Sequence, residues 1–179
     1  MTLFLLLLLG AVSALIAYVS LQPDSFKVAR SALIDAPPER IYPLINDLHE
    51  WAAWSPWARL DPEQVVTFEG SPLGAGAIMD WSGNRKVGAG RMKITESSRN
   101  ERIRLKIQFL KPMRALNDVQ FDLKPIGETR TEVIWSMSGK NEFIAKAIHA
   151  FMNMDRMVGG DFEKGLANLK SLAEATADA

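Results

Sequence analysis

Arg102-Ile103-Arg104-Leu105-Lys106-Ile107-Gln108-Phe109 is the stretch on which the fold turns. Polar and apolar side chains alternate through it without a break. In a strand, whose side chains point to opposite faces with a period of two, that gives one wet face and one apolar face. Such a sheet is stable in water only if something covers the apolar side. The segments downstream repeat the pattern: Val119, Phe121 and Leu123 beyond the Leu110-Lys111-Pro112 turn, then Thr131, Val133, Trp135 and Met137 beyond Gly127. Upstream, Ala77, Met79 and Trp81 alternate with Ile78 and Asp80, which places Asp80 outward. Ser82 to Arg85 reads as a hairpin-like turn into a strand over Lys86 to Thr95, where Gly88 and Gly90 allow a bend or the approach of another backbone. Val65 to Glu69 is a further short strand. In Phe26 to Ile34, Phe26, Val28, Ala32 and Ile34 share the inward parity, and so does Arg30.

The cover is supplied at the other end of the chain. From Glu142 the apolar period becomes helical, with Asn141 as candidate N-cap and a stripe through Ile144, Ile148, Phe151, Val158, Phe162, Leu166 and Leu169. Gly159-Gly160 interrupts it at about 1 kcal/mol per glycine relative to alanine, which predicts a kink or a close helix–sheet contact. Between the first strand and the rest, Ala36-Pro37-Pro38-Glu39-Arg40 stops the strand and opens a helix through Ile41, Leu44, Ile45 and Leu48. A second short helix is expected over His49 to Trp54. Trp51, Trp54 and Trp57 need a broad apolar surface and a partner for each buried N–H, so they plug one end of the core. One strand, two short helices, six strands and a long final helix make an α+β domain.

Leu3 to Leu21 carries no charge over nineteen residues, enough at about 1.5 Å per residue to cross a bilayer's hydrocarbon. It reads as a membrane span. A cleaved signal is the alternative, but no basic residue precedes the run and the small pair Ala11/Ser13 comes too early for cleavage. The expected organisation is an anchor or signal segment over 1–22, a linker over 23–25, the domain over 26–172 and a frayed tail over 173–179. Lys27 and Arg30 follow the span and Asp24 dilutes them, which slightly favours a single-pass protein with a cytoplasmic domain and leaves an exported domain open.

Composition excludes several function classes. The 179 residues balance 21 basic against 21 acidic side chains, so no overall field favours nucleic acid. The absence of cysteine removes disulfides and thiolate chemistry. His49 and His149 stand in no metal-binding spacing, and no metal site is expected. Gly74 to Gly90 is glycine-rich but lacks the phosphate-loop and dinucleotide patterns, so no cofactor is expected either. No feature bears on oligomeric state. For catalysis only His49, Asn117 and Arg30 offer themselves, and weakly; Asp155 and Arg156 read as a solvated face or an ion pair with the sheet.

Four segments carry a family resemblance: IDAPPERIYPLINDLHEWAAWSPW at 34–57, GAGAIMDWSG at 74–83, FLKPM at 109–113 and MDRMVGGDFEKGLANLK at 154–170. Together they resemble the START/Bet v 1-like superfamily and, within it, the bacterial polyketide cyclase/dehydrase and lipid-transport group. The resemblance implies a helix-grip fold, in which a curved seven-stranded antiparallel sheet wraps the C-terminal helix around a cavity for lipids, sterols, polyketides or other apolar compounds. Parity and that geometry together give the expected lining as Met79, Trp81, Met92, Ile107, Phe109, Asn117, Phe121, Trp135, Phe151, Met154 and Val158. Three roles follow: a membrane-tethered carrier or sensor of an apolar small molecule, a cyclase/dehydrase-type enzyme acting on a polyketide or aromatic compound, or a protein-interaction or co-chaperone module with a closed core and no ligand.

Overall fold

A computed structural model describes residues 1–151 and 154–175, with the side chains of 149, 151 and 154 outside the description. The chain begins with α1 (Thr2–Ser20), passes through the linker into β1 (Ser25–Ile34), and continues with α2 (Pro38–Asn46) and α3 (Trp51–Trp54). Six strands follow in succession: β2 (Val65–Gly70), β3 (Ala77–Ser82), β4 (Ala89–Ser98), β5 (Arg102–Lys111), β6 (Ala115–Ile126) and β7 (Arg130–Lys140). Two helices, α4 (Phe143–Phe151) and α5 (Met154–Ala175), complete it.

The strands form one antiparallel sheet in the order β1-β7-β6-β5-β4-β3-β2. Consecutive strands from β2 to β7 are neighbours because each is joined to the next by a short turn, and β1 returns beside β7 to leave β2 and β1 as opposite edges. The alternation read from Arg102 to Phe109 becomes burial: Ile103 and Leu105 are enclosed, while Arg104, Lys106 and Gln108 face water. On the wet face Arg102, Arg104 and Lys106 pair with Asp122, Glu96 and Asp118 on neighbouring strands. Register shifts at Ala89/Gly90 and Ile94/Glu96 bend the β4–β5 pair.

Several boundaries depart from the sequence expectation, each for a local reason. β4 begins at Ala89 rather than Lys86, because Gly88 adopts φ +69° in a turn closed by the Gly83 amide donating to its carbonyl. A Cβ on Gly88 would fall onto the Lys111 carbonyl, so both the conformation and the space require glycine. The helix expected from His49 starts only at Trp51, because the Asp47 carboxylate accepts from the His49 amide and holds a turn there. Asn141 does not cap α4. Its Nδ2 donates 3.0 Å to the Pro23 carbonyl and its amide donates to the Asp24 carbonyl, so it binds the linker instead. The long final stripe is shared between α4 and α5. Gly159-Gly160 leaves α5 continuous and serves the close approach: a Cβ on Gly159 would overlap the Arg30 guanidinium.

The interior has two parts. Beneath α5 and against α2 and α3 lies an aromatic block, where Trp135 stacks on Phe162 at 4.1 Å between ring centres and on Phe121 at 4.9 Å. Trp51 and Trp54 meet both Phe121 and Trp135 edge to face. The indole N–H groups of Trp51 and Trp54 donate to the carbonyls of Ile45 and Leu44, so the tryptophan plug also ties α3 to the end of α2. The other part is the remainder of the sheet's apolar face, toward the end at which α1 enters, and is described next.

Candidate functional site

Cross-strand register assembles the second part of the interior into rows. Phe68, Met79, Met92, Ile107, Asn117, Gly139 and Phe26 are successive partners from β2 across to β1. The row nearer the α1 end runs through Val66, Trp81, Gly90 and Phe109, and Gly90 is bare because the Trp81 indole lies over it. On the other side comes Ile94, Leu105, Val119, Met137 and Val28, and beyond these stand Ile103, Phe121, Trp135 and Arg30. Of the expected lining, Met79, Trp81, Met92, Ile107, Phe109 and Asn117 therefore occupy two adjacent rows, and Val158 of α5 is partly buried against the core. Phe121 and Trp135 belong to the aromatic block. The side chains of Phe151 and Met154 lie outside the described residues.

Asn117 is the polar member of its row. It is 6% exposed, flanked by Ile107 and Gly139, and its Nδ2 has Met137 Sδ at 3.8 Å as partner. Thioether sulfur is a weak acceptor, so this amide is buried at a cost with little return. Gly139 makes the arrangement possible, since a Cβ there would collide with Asn117 Oδ1 and with Phe26. Sequence reading found Asn117 by parity and missed Gly139, although a glycine inside a strand is itself a sign of close approach. A second donor, Trp135 Nε1, is buried with no hydrogen-bond partner among the described residues. No sequence pattern announces that; it follows from how the ring is wedged between Phe121 and Phe162.

Arg30 closes one margin of the interior rather than reaching into it. Its Nε donates 2.7 Å to Glu163, and its two terminal nitrogens hold the Asp155 carboxylate at 3.0 and 2.9 Å, with a further bond to the Asp155 carbonyl. Both carboxylates are on α5, so this cation fastens the helix to edge strand β1 through the gap left by Gly159. Hydrogen bonding to Arg30 holds the Asp155 carboxyl below its ordinary value of 3.8. A depressed carboxylate contributes stability above its unfolded pKa and loses it as pH falls through the folded value. Asp155→Asn is therefore expected to lower the melting temperature at pH about 6 and to converge on the wild type only as pH falls below 3.8, through the lowered folded value, where the wild-type carboxyl becomes protonated as well. Paired melting curves across that interval check it; a constant offset would remove Asp155 from the latch.

His49 stands apart. It is half exposed, stacks on Phe68 of β2 at 3.9 Å between ring centres, and its Nδ1 lies 2.7 Å from the Asp47 carboxylate. β2 and β1 are opposite edges of the sheet, so the three weak catalytic candidates are spread across it: His49 over one edge, Asn117 in the middle, Arg30 on the other. Asp80 pairs with Arg91 on the wet face. A separate cleft of about 450 Å³ opens between α2 and the β4–β5 turn, lined by Glu39, Tyr42, Leu44, Asn46, Leu73 and Arg99 among others.

An antiparallel sheet closed over by a C-terminal helix, with an apolar face beneath it, defines a helix-grip-like protein. The sequence profile of the polyketide cyclase/dehydrase and lipid-transport family matches residues 25–174, and the chain belongs to that family. No curated protein sequence matches it. Among solved structures it is similar to a protein of unknown function from Staphylococcus aureus, with TM-score 0.63 and 12% identity over 87% of this chain and 97% of that one. It is similar also to a Mesorhizobium loti protein, with TM-score 0.59 and 16% identity over 84% of this chain and 98% of that one. A protein of the dynemicin biosynthetic locus gives TM-score 0.58 and 14% identity, over 85% of this chain and 48% of that one. At these identities the structural likenesses speak to the fold.

Proposed function

We propose that the domain binds an apolar small molecule between the sheet and the first turns of α5, with Asn117 as its polar anchor, and carries or senses that molecule while tethered to a membrane by α1. The observation that carries the reading is Asn117 itself: a buried amide whose Nδ2 has, among the described residues, a thioether as its partner, set in the middle of an otherwise apolar row. Buried polar groups are ordinarily satisfied, and a ligand carbonyl, carboxylate or hydroxyl would satisfy this one. Met79, Trp81, Met92, Ile107, Phe109 and Val158 supply the apolar contact, and their methionines give walls that repack around guests of different shape. α1 supports the tether: it is 19 residues long with mean hydropathy 2.5, long and apolar enough to span, a test that a signal sequence also passes.

The family's description embraces cyclases and dehydrases, and one structural relative comes from a biosynthetic locus. Binding is favoured here over turnover because acid–base chemistry needs its groups within hydrogen-bond reach of one substrate, and His49 and Arg30 occupy opposite edges of the sheet.

The test uses quenching of tryptophan emission by a brominated fatty acid, since Trp81 adjoins the proposed cavity. With the chain from Ser25 onward, quenching should saturate at one equivalent, and Asn117→Leu should weaken binding about tenfold while leaving the fold intact. Unsaturable quenching, or an unchanged affinity in the variant, would remove Asn117 as the anchor.

A further inference from the structure

The zero net charge conceals a strong asymmetry between the two ends of the sheet. Antiparallel register brings the β5–β6 turn, the β3–β4 loop, the end of β7 and the start of α4 to the end at which α1 enters. Arg85, Lys86, Lys111, Arg114 and Lys140 lie on that rim, all exposed and none in an ion pair with a described carboxylate. The carboxylates there are partly spoken for: Asp24 pairs with Lys146, and Asp61 accepts from the backbone amides of Glu63 and Asn84. Glu63 and Glu142 are the acidic exceptions. The far end leans the other way, with Asp35, Glu39, Asp47, Glu50, Glu101, Glu128 and Glu174 outweighing Arg40, Arg99, Arg130 and Lys170, the last of which pairs with Asp35 and Glu174.

The same basic rim is apolar at its tips. Met113 of the β5–β6 turn and the flanking Leu110 and Leu116 are about half exposed, as is Phe143, and Ile144 is 67% exposed. Basic side chains interleaved with exposed apolar ones suit the headgroup region of an anionic bilayer, where the ammonium and guanidinium groups meet phosphate and the apolar tips enter the acyl boundary. Position argues the same way. The end of α1 is stapled to this rim: Lys146 Nζ donates to the Ser20 carbonyl, and Asn141 holds the carbonyls of Pro23 and Asp24. Val19 is buried, and only the four residues Leu21 to Asp24 separate the helix from β1. A spanning α1 would leave this end of the domain no room to stand clear of the membrane surface.

We propose that this rim is a second membrane contact, specific for anionic lipid, in which the β5–β6 turn and the start of α4 seat in the bilayer interface. The proposal rests on the tether reading of α1. Its consequence is that the Trp81/Phe109 row, which is nearest this end, faces the lipid from which an apolar guest would enter.

The chain lacks cysteine, so Met113→Cys gives a unique site for an environment-sensitive fluorophore, with Glu128→Cys as the control at the far end. The labelled full chain is reconstituted in vesicles of phosphatidylcholine alone or with phosphatidylglycerol, and co-flotation is scored alongside emission. The expected result is co-flotation in both, with a blue shift at position 113 that requires phosphatidylglycerol, is absent at 128, and weakens with salt. Each basic side chain at such a surface raises the docked population about fivefold, so Lys111→Glu with Arg114→Glu should reduce docking by roughly 25-fold or more without affecting co-flotation. A chain that co-floats with position 113 still in water overturns the docking contact alone. Failure to co-float overturns the tether and the contact together. A blue shift equal in neutral vesicles, or one that grows with protein density, assigns the rim to a second copy of the chain and overturns the proposal.

Discussion

Trp135→Ala is expected to cost the domain about 3–5 kcal/mol, the range for deleting a large aromatic side chain from a packed core. Trp135 is 2% exposed and forms the centre of the aromatic block, in ring contact with Trp51, Trp54, Trp57, Phe121 and Phe162. Removing it takes a contact from α3, α5 and the sheet at once, so cooperative unfolding by urea should show a shifted midpoint with an unchanged slope. Trp135→Phe separates the ring from its N–H. Phenylalanine keeps most of the stacking and eliminates a buried donor that has no described partner, so it should cost roughly half of the alanine change or less. Equal losses for the two variants would mean that the indole N–H has a partner, and the partition of the interior into a closed block and a ligand face would need redrawing.

Gly165→Leu is expected to be destabilising by about 1–3 kcal/mol or more, although glycine inside a helix is ordinarily improved by almost any replacement. The reason is contact: a Cβ at residue 165 would lie 2.6 Å from Trp135 Cζ3 and 3.1 Å from Pro56 Cδ. An indole ring enclosed on both faces cannot swing aside as a long surface side chain can. The two substitutions should therefore compensate. In Trp135→Ala/Gly165→Leu the new side chain enters the space vacated by the ring, and the double variant should be more stable than the sum of its parts by about 1–3 kcal/mol. Additivity would place the helix–sheet contact elsewhere.

How much of this was legible beforehand divides along physical lines. Parity along single strands is a local property, and it placed the apolar face, Asn117 and the outward Asp80 from the residues alone. The coverage of that face was equally legible, because the change from a period of two to a helical period after Glu142 has few interpretations. Interactions between distant segments were not. The sequence offers Asp155 as an ion pair with the sheet, and the structure bears that out, but neither Arg30 as its partner, more than a hundred positions away, nor the space at Gly159 that admits the guanidinium is a local property. Asn141 was read as a helix cap because caps are recognised by local spacing, whereas the linker it binds precedes it by more than a hundred residues. The separation of lining residues into an aromatic block and an open face follows from which side chains α3 brings down, and α3 is too short to have been bounded by periodicity. Charge behaved in the same way: a balanced total says nothing about how antiparallel turns distribute its two signs.

The most direct test of a bound apolar molecule is to purify the chain from Ser25 onward from cells, without added ligand, and to record native and then denaturing mass spectra of wild type and Asn117→Leu. The account predicts a single apolar compound near one equivalent on the wild-type domain, released on denaturation and much reduced in the variant. A wild-type domain that is empty and folded, with the same mass in both spectra, would contradict it.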